Sequence, residues 1–271
     1  MKQINLLIST IDNRILGLKK VIKDETVIYT VSHQVTSDLS EETLIYIEEL
    51  QKKSYVIYSQ IHSKGVAKNR NNALKHRVKG SICLLCDDDV VYFEDSFEKL
   101  RDAFKNGSLE FLTFKIKTFG GKDYKKYRDY EFTQSLRTLS SIGIVDVAFS
   151  EEVIEKYILE FDERFGPGGY YAIGEDFIFM SDAYKKGASI IYKPLEIVQH
   201  EELGTGTTLE DKIIFGRGAM FARVFGVTSA AVNIFFAIKQ YKRYKTVYSF
   251  LQYWKLLNQG MIDYYRKYRW N

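Results

Sequence analysis

Short apolar runs alternate with amphipathic stretches over the first hundred positions of the chain. The runs INLLIST and TVIYTVS are typical of strands, and Ile15, Leu18 and Ile22 recur between them at helical spacing. A helix is predicted over DLSEETLIYIEELQKK, then a strand over YVIYSQ, and then a helix bounded by Gly65 and Gly80. The next apolar run, SICLLC, is typical of a strand buried on both faces. Such alternation predicts an α/β fold, with a mainly parallel sheet covered by helices.

The pattern is looser beyond Glu94. Helices are predicted over SFEKLRDAFKN, EEVIEKYI and DFIFMSDAYKKG, and strands over EFLTFKIKTF and IVDVAFS. SIIYKPLEIVQH is interpreted as a pair of short strands. The loop FGPGGYYAIGED concentrates glycines, and loops of this kind often shape a substrate pocket. From Leu209 onward the chain is predicted to be helical and is rich in aromatic and basic residues.

The composition indicates a globular protein. Of the 271 residues 45% are hydrophobic, which is enough to bury a core. The net charge of +4 gives no overall field that would point to nucleic acid. The longest uncharged stretch, residues 224–238, is shorter than the roughly 18 to 20 residues that cross a bilayer as a helix. Because MKQINLLISTIDNR also lacks a secretory pattern, we expect a cytoplasmic protein.

Cys83 and Cys86 form a CxxC spacing, which in a loop could indicate redox or zinc chemistry. Here the spacing falls within a predicted strand, where positions i and i+3 point to opposite faces. We therefore predict two buried and unreactive thiols.

Three consecutive carboxylates, Asp87, Asp88 and Asp89, follow the strand SICLLC. Two like charges about 4 Å apart cost about 4 kcal/mol at an effective dielectric of ~20, so a cation is expected nearby. Ligands of open parallel sheets bind beyond the carboxyl ends of the strands, and carboxylate oxygens suit Mg²⁺ or Mn²⁺. If the chain stays extended, Asp87 and Asp89 face one side and Asp88 the other. The alternative is a solvated acidic turn, which the preceding apolar strand disfavours.

A basic segment, HSKGVAKNRNNALKHR, precedes that strand. It places Lys64 and Arg70 near a helix start, where backbone N–H groups and the helix dipole favour an anion. Arg70, Leu74 and Val78 fall on one helix face, so Arg70 is predicted to point toward the sheet and to need an acidic partner. A solvated basic helix with an ordinary salt bridge is the alternative, and it accounts less well for Arg70 and Asn71.

Five segments in a fixed order, over about the first 200 residues, resemble the family 2 glycosyltransferases of the GT-A fold: HSKGVAKNRNNAL, CLLCDDDVV, FDERFGPGG, GEDFIF and KPLEIVQHE. The resemblance implies a GT-A catalytic domain over residues 1–208, with a nucleotide-sugar half (1–94) and an acceptor half (95–208), followed by a helical extension (209–271). It also implies transfer of a sugar, with inversion, from a nucleotide diphosphate donor to a saccharide or lipid-linked saccharide. A UDP-sugar is the favoured donor, and bacterial surface polysaccharide or glycoconjugate synthesis is the implied pathway.

The resemblance also implies roles for single residues. Asp176 would be the general base and Glu175 would orient the acceptor or the base, although a helix N-terminus by itself favours such an acid pair. Asp87 would contact the nucleoside, and Asp89 would hold Mn²⁺ or Mg²⁺ on the diphosphate. His200 aligns with a metal ligand of some relatives, and a structural histidine is the alternative.

Two segments depart from the family pattern: STIDNR replaces a proline–threonine–aromatic–asparagine sequence, and VSHQVTSD lacks the usual aspartate, for which Asp38 is one substitute. The identity of the nucleotide base therefore stays open. The remaining predicted donor-binding residues are Thr10, Asp12, Ser32, Gln34, Lys64, Arg70, Asn71 and Asp88, and the predicted acceptor-binding residues are Gly168, Gly169 and Tyr170.

The extension, residues 209–271, interleaves lysine and arginine with tyrosine and tryptophan. The plainest interpretation is packing on the catalytic domain or in a homodimer; a peripheral contact with an anionic membrane, at the inner face of the plasma membrane, is the alternative. A GT-A domain argues against nucleic acid as a partner.

Two functions fit the sequence: an active transferase, or a GT-A protein that binds a nucleotide sugar or glycan as the non-catalytic partner of an active transferase. The presence of both acidic motifs favours the enzyme. A sugar-nucleotide pyrophosphorylase would carry a glycine-rich N-terminal signature, which INLLISTIDNR lacks.

Overall fold

The computed structural model describes residues 2–200 and 208–268. These residues form two compact units. The first unit comprises residues 2–64, 68–161 and 183–200, and the second comprises residues 65–67, 162–182 and 208–268. The structure thus groups residues 162–182 with the C-terminal helices, whereas the sequence assigned them to the first domain.

Among the described residues, nine strands form one sheet in the first unit. They are β1 (Ile4–Ile11), β2 (Ile28–Gln34), β3 (Val56–Ile61), β4 (Ile82–Asp87), β5 (Val91–Tyr92), β6 (Phe111–Thr118), β7 (Phe132–Thr133), β8 (Val147–Ser150) and β9 (Ile190–His200). Their order is β3-β2-β1-β4-β8-β6-β9-β5, with β7 also paired to β9. β1 to β4 are mutually parallel, as predicted, and β6 and β9 are parallel to each other.

The remaining pairings of the sheet are antiparallel and surround β8 and β9. β8 runs antiparallel to both β4 and β6. β6 and β7 both pair with β9, so the loop of residues 119–131 starts and ends beside the same strand. β9 is one strand of 11 residues, not the predicted pair of short strands, and register shifts next to Lys115 absorb its irregularity.

The same described ranges contain nine α-helices. They are α1 (Glu41–Gln51), α2 (Val66–Lys75), α3 (Ser96–Ala103), α4 (Leu136–Leu139), α5 (Val153–Lys156), α6 (Glu175–Lys185), α7 (Asp211–Phe225), α8 (Ser229–Tyr244) and α9 (Phe250–Tyr268). α2 ends before Val78, whose backbone N–H donates to the side chain of Asn5 instead of continuing the helix. The predicted helix between β1 and β2 is a 3-10 helix, Asp12–Lys20.

The core of the first unit explains why the sheet strands are apolar on both faces. β1 lies between β2 and β4, and nearly all of its residues are buried. Asn5, Ser9 and Thr10 are the buried polar residues of this strand. The Asn5 side chain donates to Thr30 and to the carbonyl of Ile28. Cys83 and Cys86 are buried free thiols, as predicted. Burial raises the pKa of Cys83 to about 12 and raises that of Cys86 as well.

In the second unit, α7 and α9 cross at very short distance. A Cβ placed on Gly218 would overlap the carbonyl oxygen of Leu257, and one placed on Gly260 would overlap that of Phe215. Glycine is therefore needed on both helices for their backbones to approach. Part of the aromatic content of the extension packs inside this unit, where Tyr244 and Tyr253 are stacked and buried. Packing of the extension on the catalytic domain or in a homodimer stays a prediction.

Candidate functional site

The three carboxylates lie at the end of β4, at the carboxyl edge of the parallel strands. Asp87 is the last residue of the strand, and the chain turns at Asp88 and Asp89. The chain is therefore not extended here, and the three side chains do not simply alternate between the two faces of the sheet. Asp88 points inward, is buried and accepts a hydrogen bond of 2.6 Å from the Thr10 hydroxyl.

Two arginines supply the positive charge that the acidic cluster requires. Arg14 donates to Asp88 through both Nε and Nη2, and its Nη2 lies 3.2 Å from Asp89. Arg70, on α2, lies 3.3 Å from Asp87 and is buried, which confirms the predicted inward arginine with an acidic partner. The repulsion among the three aspartates is thus balanced by protein side chains.

Arg14 was not among the predicted site residues. It lies three positions beyond β1, and β1 pairs with β4 in a register that places Ser9 opposite Asp87. Residues that follow β1 therefore lie beside residues that follow β4. The signal that could have revealed Arg14 is this adjacency of the two strands, combined with the need of the aspartates for a cation.

The electrostatics of the cluster differ from one carboxylate to the next. Burial raises the pKa of Asp88, and the hydrogen bonds from Thr10 and Arg14 oppose that rise. A hydrogen bond with His200 lowers the pKa of Asp89, and the charge of Arg14 adds to this effect. The bond to Asp88 also raises the pKa of Arg14.

Asp89 and His200 form a pair of side chains that fits a divalent cation. His200 Nε2 lies 3.4 Å from Asp89 Oδ1, and the Tyr124 ring packs edge-on against the imidazole. An oxygen and a nitrogen this close can share one Mn²⁺ or Mg²⁺. Within residues 2–200 and 208–268 no group of three or more His, Cys, Asp or Glu side chains could hold a metal ion. The other ligands would therefore be phosphate oxygens and water, as is usual for Mg²⁺.

The basic segment ahead of β4 is anchored from within the first unit. Asn71 donates to the carbonyl of Phe161 at 2.9 Å and accepts from its N–H at 2.7 Å. Arg70 lies over the ring of Phe161, 5.6 Å from its centroid. Lys64 is exposed. The predicted donor residues of this segment thus divide into one exposed cation and two side chains that hold the local structure.

The predicted base-contacting residues near β1 are engaged in internal hydrogen bonds. Thr10 donates to Asp88, as described above. Asp12 has a left-handed backbone (φ 46°), and its carboxylate accepts from the backbone N–H groups of Thr36 and Ser37. Burial acts against ionisation here, but these hydrogen bonds lower the pKa of Asp12. Asp12 therefore connects the ends of two strands, and its contact with a base stays a prediction.

On β2, Ser32 and Gln34 are buried. The Ser32 hydroxyl donates to Asn69 at 2.6 Å and accepts from Asn72 at 2.8 Å. Gln34 donates to Ser63 at 3.4 Å. Ser32 is buried and its hydrogen bonds position α2. The contacts of Ser32 and Gln34 with a nucleotide base stay predictions.

The second unit holds the other acidic pair. Glu175 and Asp176 begin α6, as predicted, and Glu175 is buried. A Cβ at Gly166 would lie 2.7 Å from the carboxyl carbon of Glu175, and the φ of Gly166 is 92°. Glycine at this position therefore leaves the space that the Glu175 carboxyl occupies.

The predicted acceptor residues follow Gly166 in the same loop. The N–H of Gly169 donates to the carbonyl of Gly166 at 2.9 Å, which closes a tight turn that includes Gly168. Tyr170 is 57% exposed. The ammonium group of Lys267 lies 3.5 Å from the centroid of the Tyr170 ring. The turn thus presents an accessible aromatic ring beside a cation.

A network of ion pairs lies next to the loop that contains Gly166 and Tyr170. Asp162 accepts from Arg164 at 2.5 Å and from Arg223 at 3.0 Å, and Arg223 also binds Asp182 through two hydrogen bonds. Burial acts in the opposite direction, but the two arginines hold the pKa of Asp162 below its usual value. Local patterns in the sequence do not single out Arg223, because residues 209–271 are predicted only as a helical extension.

The comparisons with known proteins agree with this architecture. Residues 35–184, more than half of the chain, match the family model "Glycosyl transferase family 2". The chain therefore belongs to glycosyl transferase family 2, as the motif order indicated. Among curated proteins none matches.

Several solved structures of Staphylococcus aureus TarS are similar to this chain. The TarS 1–349 fragment with UDP-GlcNAc has a TM-score of 0.63 at 14% identity, over 97% of this chain and 89% of that one. The same fragment with UDP has a TM-score of 0.60 at 14% identity, over the same shares of both chains. The similarity confirms the GT-A fold and the C-terminal helices.

Proposed function

We propose that the protein transfers a sugar from a nucleotide diphosphate donor to a saccharide or lipid-linked saccharide, with inversion at the anomeric carbon. The observation that carries the proposal is the acidic cluster at the end of β4, with Asp89 beside His200 and with Arg14 and Arg70 as counterions. Family membership supports the reaction class. The TarS complexes with UDP-GlcNAc and UDP support a UDP-sugar as the donor.

On the donor side, Asp89 and His200 would hold Mn²⁺ or Mg²⁺. When bound, the cation neutralises charge on the departing nucleoside diphosphate. Arg14 is 60% exposed while it contacts the aspartates, so its guanidinium can also meet a phosphate without unfolding its surroundings. Asp88 has a positioning role, since its buried carboxylate holds Arg14 and Thr10. Asp87 remains available to a nucleoside hydroxyl, because its side chain is 31% exposed.

On the acceptor side, Asp176 takes the proton of the acceptor hydroxyl as that oxygen forms its bond to the anomeric carbon. The bond from that carbon to the diphosphate oxygen breaks in the same step, so the configuration inverts and no sugar–enzyme intermediate forms. Glu175, buried against Gly166, orients the base or the acceptor. Tyr170 offers an aromatic face of the kind on which a sugar ring packs.

The cellular setting is part of the proposal and rests on the family resemblance. We place the enzyme in the cytoplasm, where nucleotide sugars are made, and in the synthesis of a bacterial surface polysaccharide or glycoconjugate.

The test measures release of nucleoside diphosphate from UDP-, dTDP-, GDP- and CDP-sugars with Mn²⁺ and a panel of saccharide acceptors. Asp176→Asn should abolish turnover and retain donor binding in a thermal-shift assay, whereas Asp89→Asn should weaken donor binding in the presence of Mn²⁺. Asp102→Asn, at an exposed position of α3, is the matched control and should behave as wild type.

Each outcome decides one part of the proposal. Equal turnover by Asp176→Asn and wild type would remove Asp176 as the base. Binding of a nucleotide sugar without release of the diphosphate, for every acceptor offered, would favour the non-catalytic binding protein. A protein that binds none of the nucleotides at millimolar Mn²⁺ or Mg²⁺ would refute the donor site itself.

A further inference from the structure

The C-terminal region has an unusually one-sided charge distribution. Between residues 212 and 262 the sequence contains no aspartate and no glutamate, although the chain has 35 acidic residues in all. The same stretch contains eight lysine and arginine residues: Lys212, Arg217, Arg223, Lys239, Lys242, Arg243, Lys245 and Lys255. Lys212 and Arg223 are paired with acidic residues outside this stretch. The local positive charge of this part of the second unit therefore comes mainly from the lysines and the arginine near the end of α8.

Helix α8 presents an apolar row to solvent within this basic stretch. Asn233, Ala237 and Tyr244 mark its inner side: they are buried, and Asn233 donates to Asn258 of α9. Apolar residues recur at helical spacing on the outer side, where Phe235 and Ile238 are 65% and 61% exposed. The exposed apolar residues of the row are Ile234, Phe235, Ile238 and Tyr241, and Val227, in the short 3-10 turn before α8, is exposed as well.

The basic residues lie at the C-terminal end of the same helix and just beyond it. Lys239, Lys242, Arg243 and Lys245 are all exposed. In the described part of the chain none of these four side chains forms an ion pair with an acidic residue. An apolar row with unneutralised cations at one end is typical of helices that lie in the headgroup region of an anionic bilayer.

We propose that α8 binds the surface of an anionic lipid bilayer, with the apolar row inserted between headgroups and the four cations paired with lipid phosphates. A homodimer through the same face fits less well, because a two-fold interface places a patch against its own copy, and residues 212–262 contain no carboxylate that could pair with the four cations. Nucleic acid would match the cations but would leave the apolar row unpartnered.

The helix lies on the bilayer in this proposal and does not cross it. Residues 211–244 together have the length and hydropathy of a membrane-crossing helix by composition alone. Gly226, however, has φ 55° and separates α7 from α8. The glycine contacts between α7 and α9 also keep α7 inside the second unit. Crossing would require these contacts to break, whereas surface binding uses the face that is already exposed.

The experiment is co-sedimentation of the full chain with vesicles of phosphatidylcholine alone or with about one third phosphatidylglycerol. Wild type should bind the anionic vesicles, more weakly at high salt. Phe235→Asp combined with Ile238→Asp should lower the partition coefficient by about tenfold or more. Lys239→Glu combined with Lys242→Glu should lower binding to anionic vesicles by about fivefold for each lysine, and should affect neutral vesicles little.

The matched control is Leu44→Asp combined with Ile45→Asp, which changes two apolar residues of similar exposure on α1. It should bind as wild type, and circular dichroism should show all variants folded. Wild type that stays in solution with anionic vesicles at low salt would overturn the proposal. A second result would also overturn it: light scattering shows that wild type is a dimer and that the Phe235/Ile238 variant is a monomer, while both proteins bind lipid equally. Nucleotide release without vesicles reports separately on the transferase.

Discussion

Replacing Arg14 with glutamine tests whether this residue is the counterion of the acidic cluster. The substitution removes the guanidinium that donates to Asp88 and contacts Asp89. Buried hydrogen bonds to a charged group contribute about 1.5–3 kcal/mol, but Arg14 is 60% exposed and solvent screens it. We therefore expect a loss of about 1–2 kcal/mol of folding free energy, because Asp88 stays buried with Thr10 as its remaining donor of those described.

The assay is thermal unfolding without and with Mn²⁺. At roughly 2–4 °C per kcal/mol for a chain near this size, the melting temperature should fall by about 2–8 °C. Mn²⁺ should then stabilise the variant more than wild type, because the cluster has one more uncompensated negative charge. Lys19→Gln removes an ion pair in which both side chains are exposed and should cost less than about 1 kcal/mol. A melting temperature for Arg14→Gln equal to that of the Lys19 variant would refute the assignment of Arg14 as the counterion.

Two further predictions concern the second unit. Asp162→Asn should lower the free energy of unfolding by about 2 kcal/mol at pH 7, because two arginines lose an ionised partner that is nearly buried. The native pKa of Asp162 is lowered. The stabilisation by the Asp162 carboxylate is therefore present above about pH 4 and is lost as the pH falls through the native pKa. Urea unfolding at pH 7 and pH 3 should show the difference from wild type shrinking, and a constant difference would contradict the linkage. Gly218→Ala should lower the free energy of unfolding by about 3 kcal/mol, because its Cβ would overlap the Leu257 carbonyl. A Cβ at Gly143 meets nothing within 4 Å. Gly143→Ala is therefore the control, and its urea midpoint should equal that of wild type.

The parallel half of the fold could be predicted because its signals are local. Each of β1 to β4 is a continuous apolar or β-branched run, and helical spacing separates the runs. β5 and β7 were not predicted, since each has two residues and exists only through pairing with β9. The segment after β1 has helical spacing but forms a 3-10 helix. There, a Cβ at Gly17 would lie 2.6 Å from the carbonyl oxygen of Asp88, a long-range contact that periodicity does not report.

One part of the candidate site could be predicted from the rule that a buried charge needs a partner of opposite charge. That rule correctly paired Arg70 with an acid, because a helix face that turns toward a sheet cannot leave a guanidinium unpaired. It did not identify Arg14 or Arg223, whose partners are brought near by strand register and by the folding of α7 beside Asp162 and Asp182. Local spacing decides which side chains face inward, and the tertiary fold decides which of them meet.

The loop between β6 and β7 has a consequence for how this scaffold can diversify. Thr118 at its start and Phe132 at its end are both in register with β9, so the two attachment points are fixed whatever lies between them. Lengthening a flexible loop is inexpensive, at about 0.6 kcal/mol per doubling. Insertions in residues 119–131 can thus differ in length and chemistry, in the laboratory or during evolution, without redesign of the sheet, provided that Tyr124 stays against His200 and Tyr127 stays bonded to the backbone of Ile116.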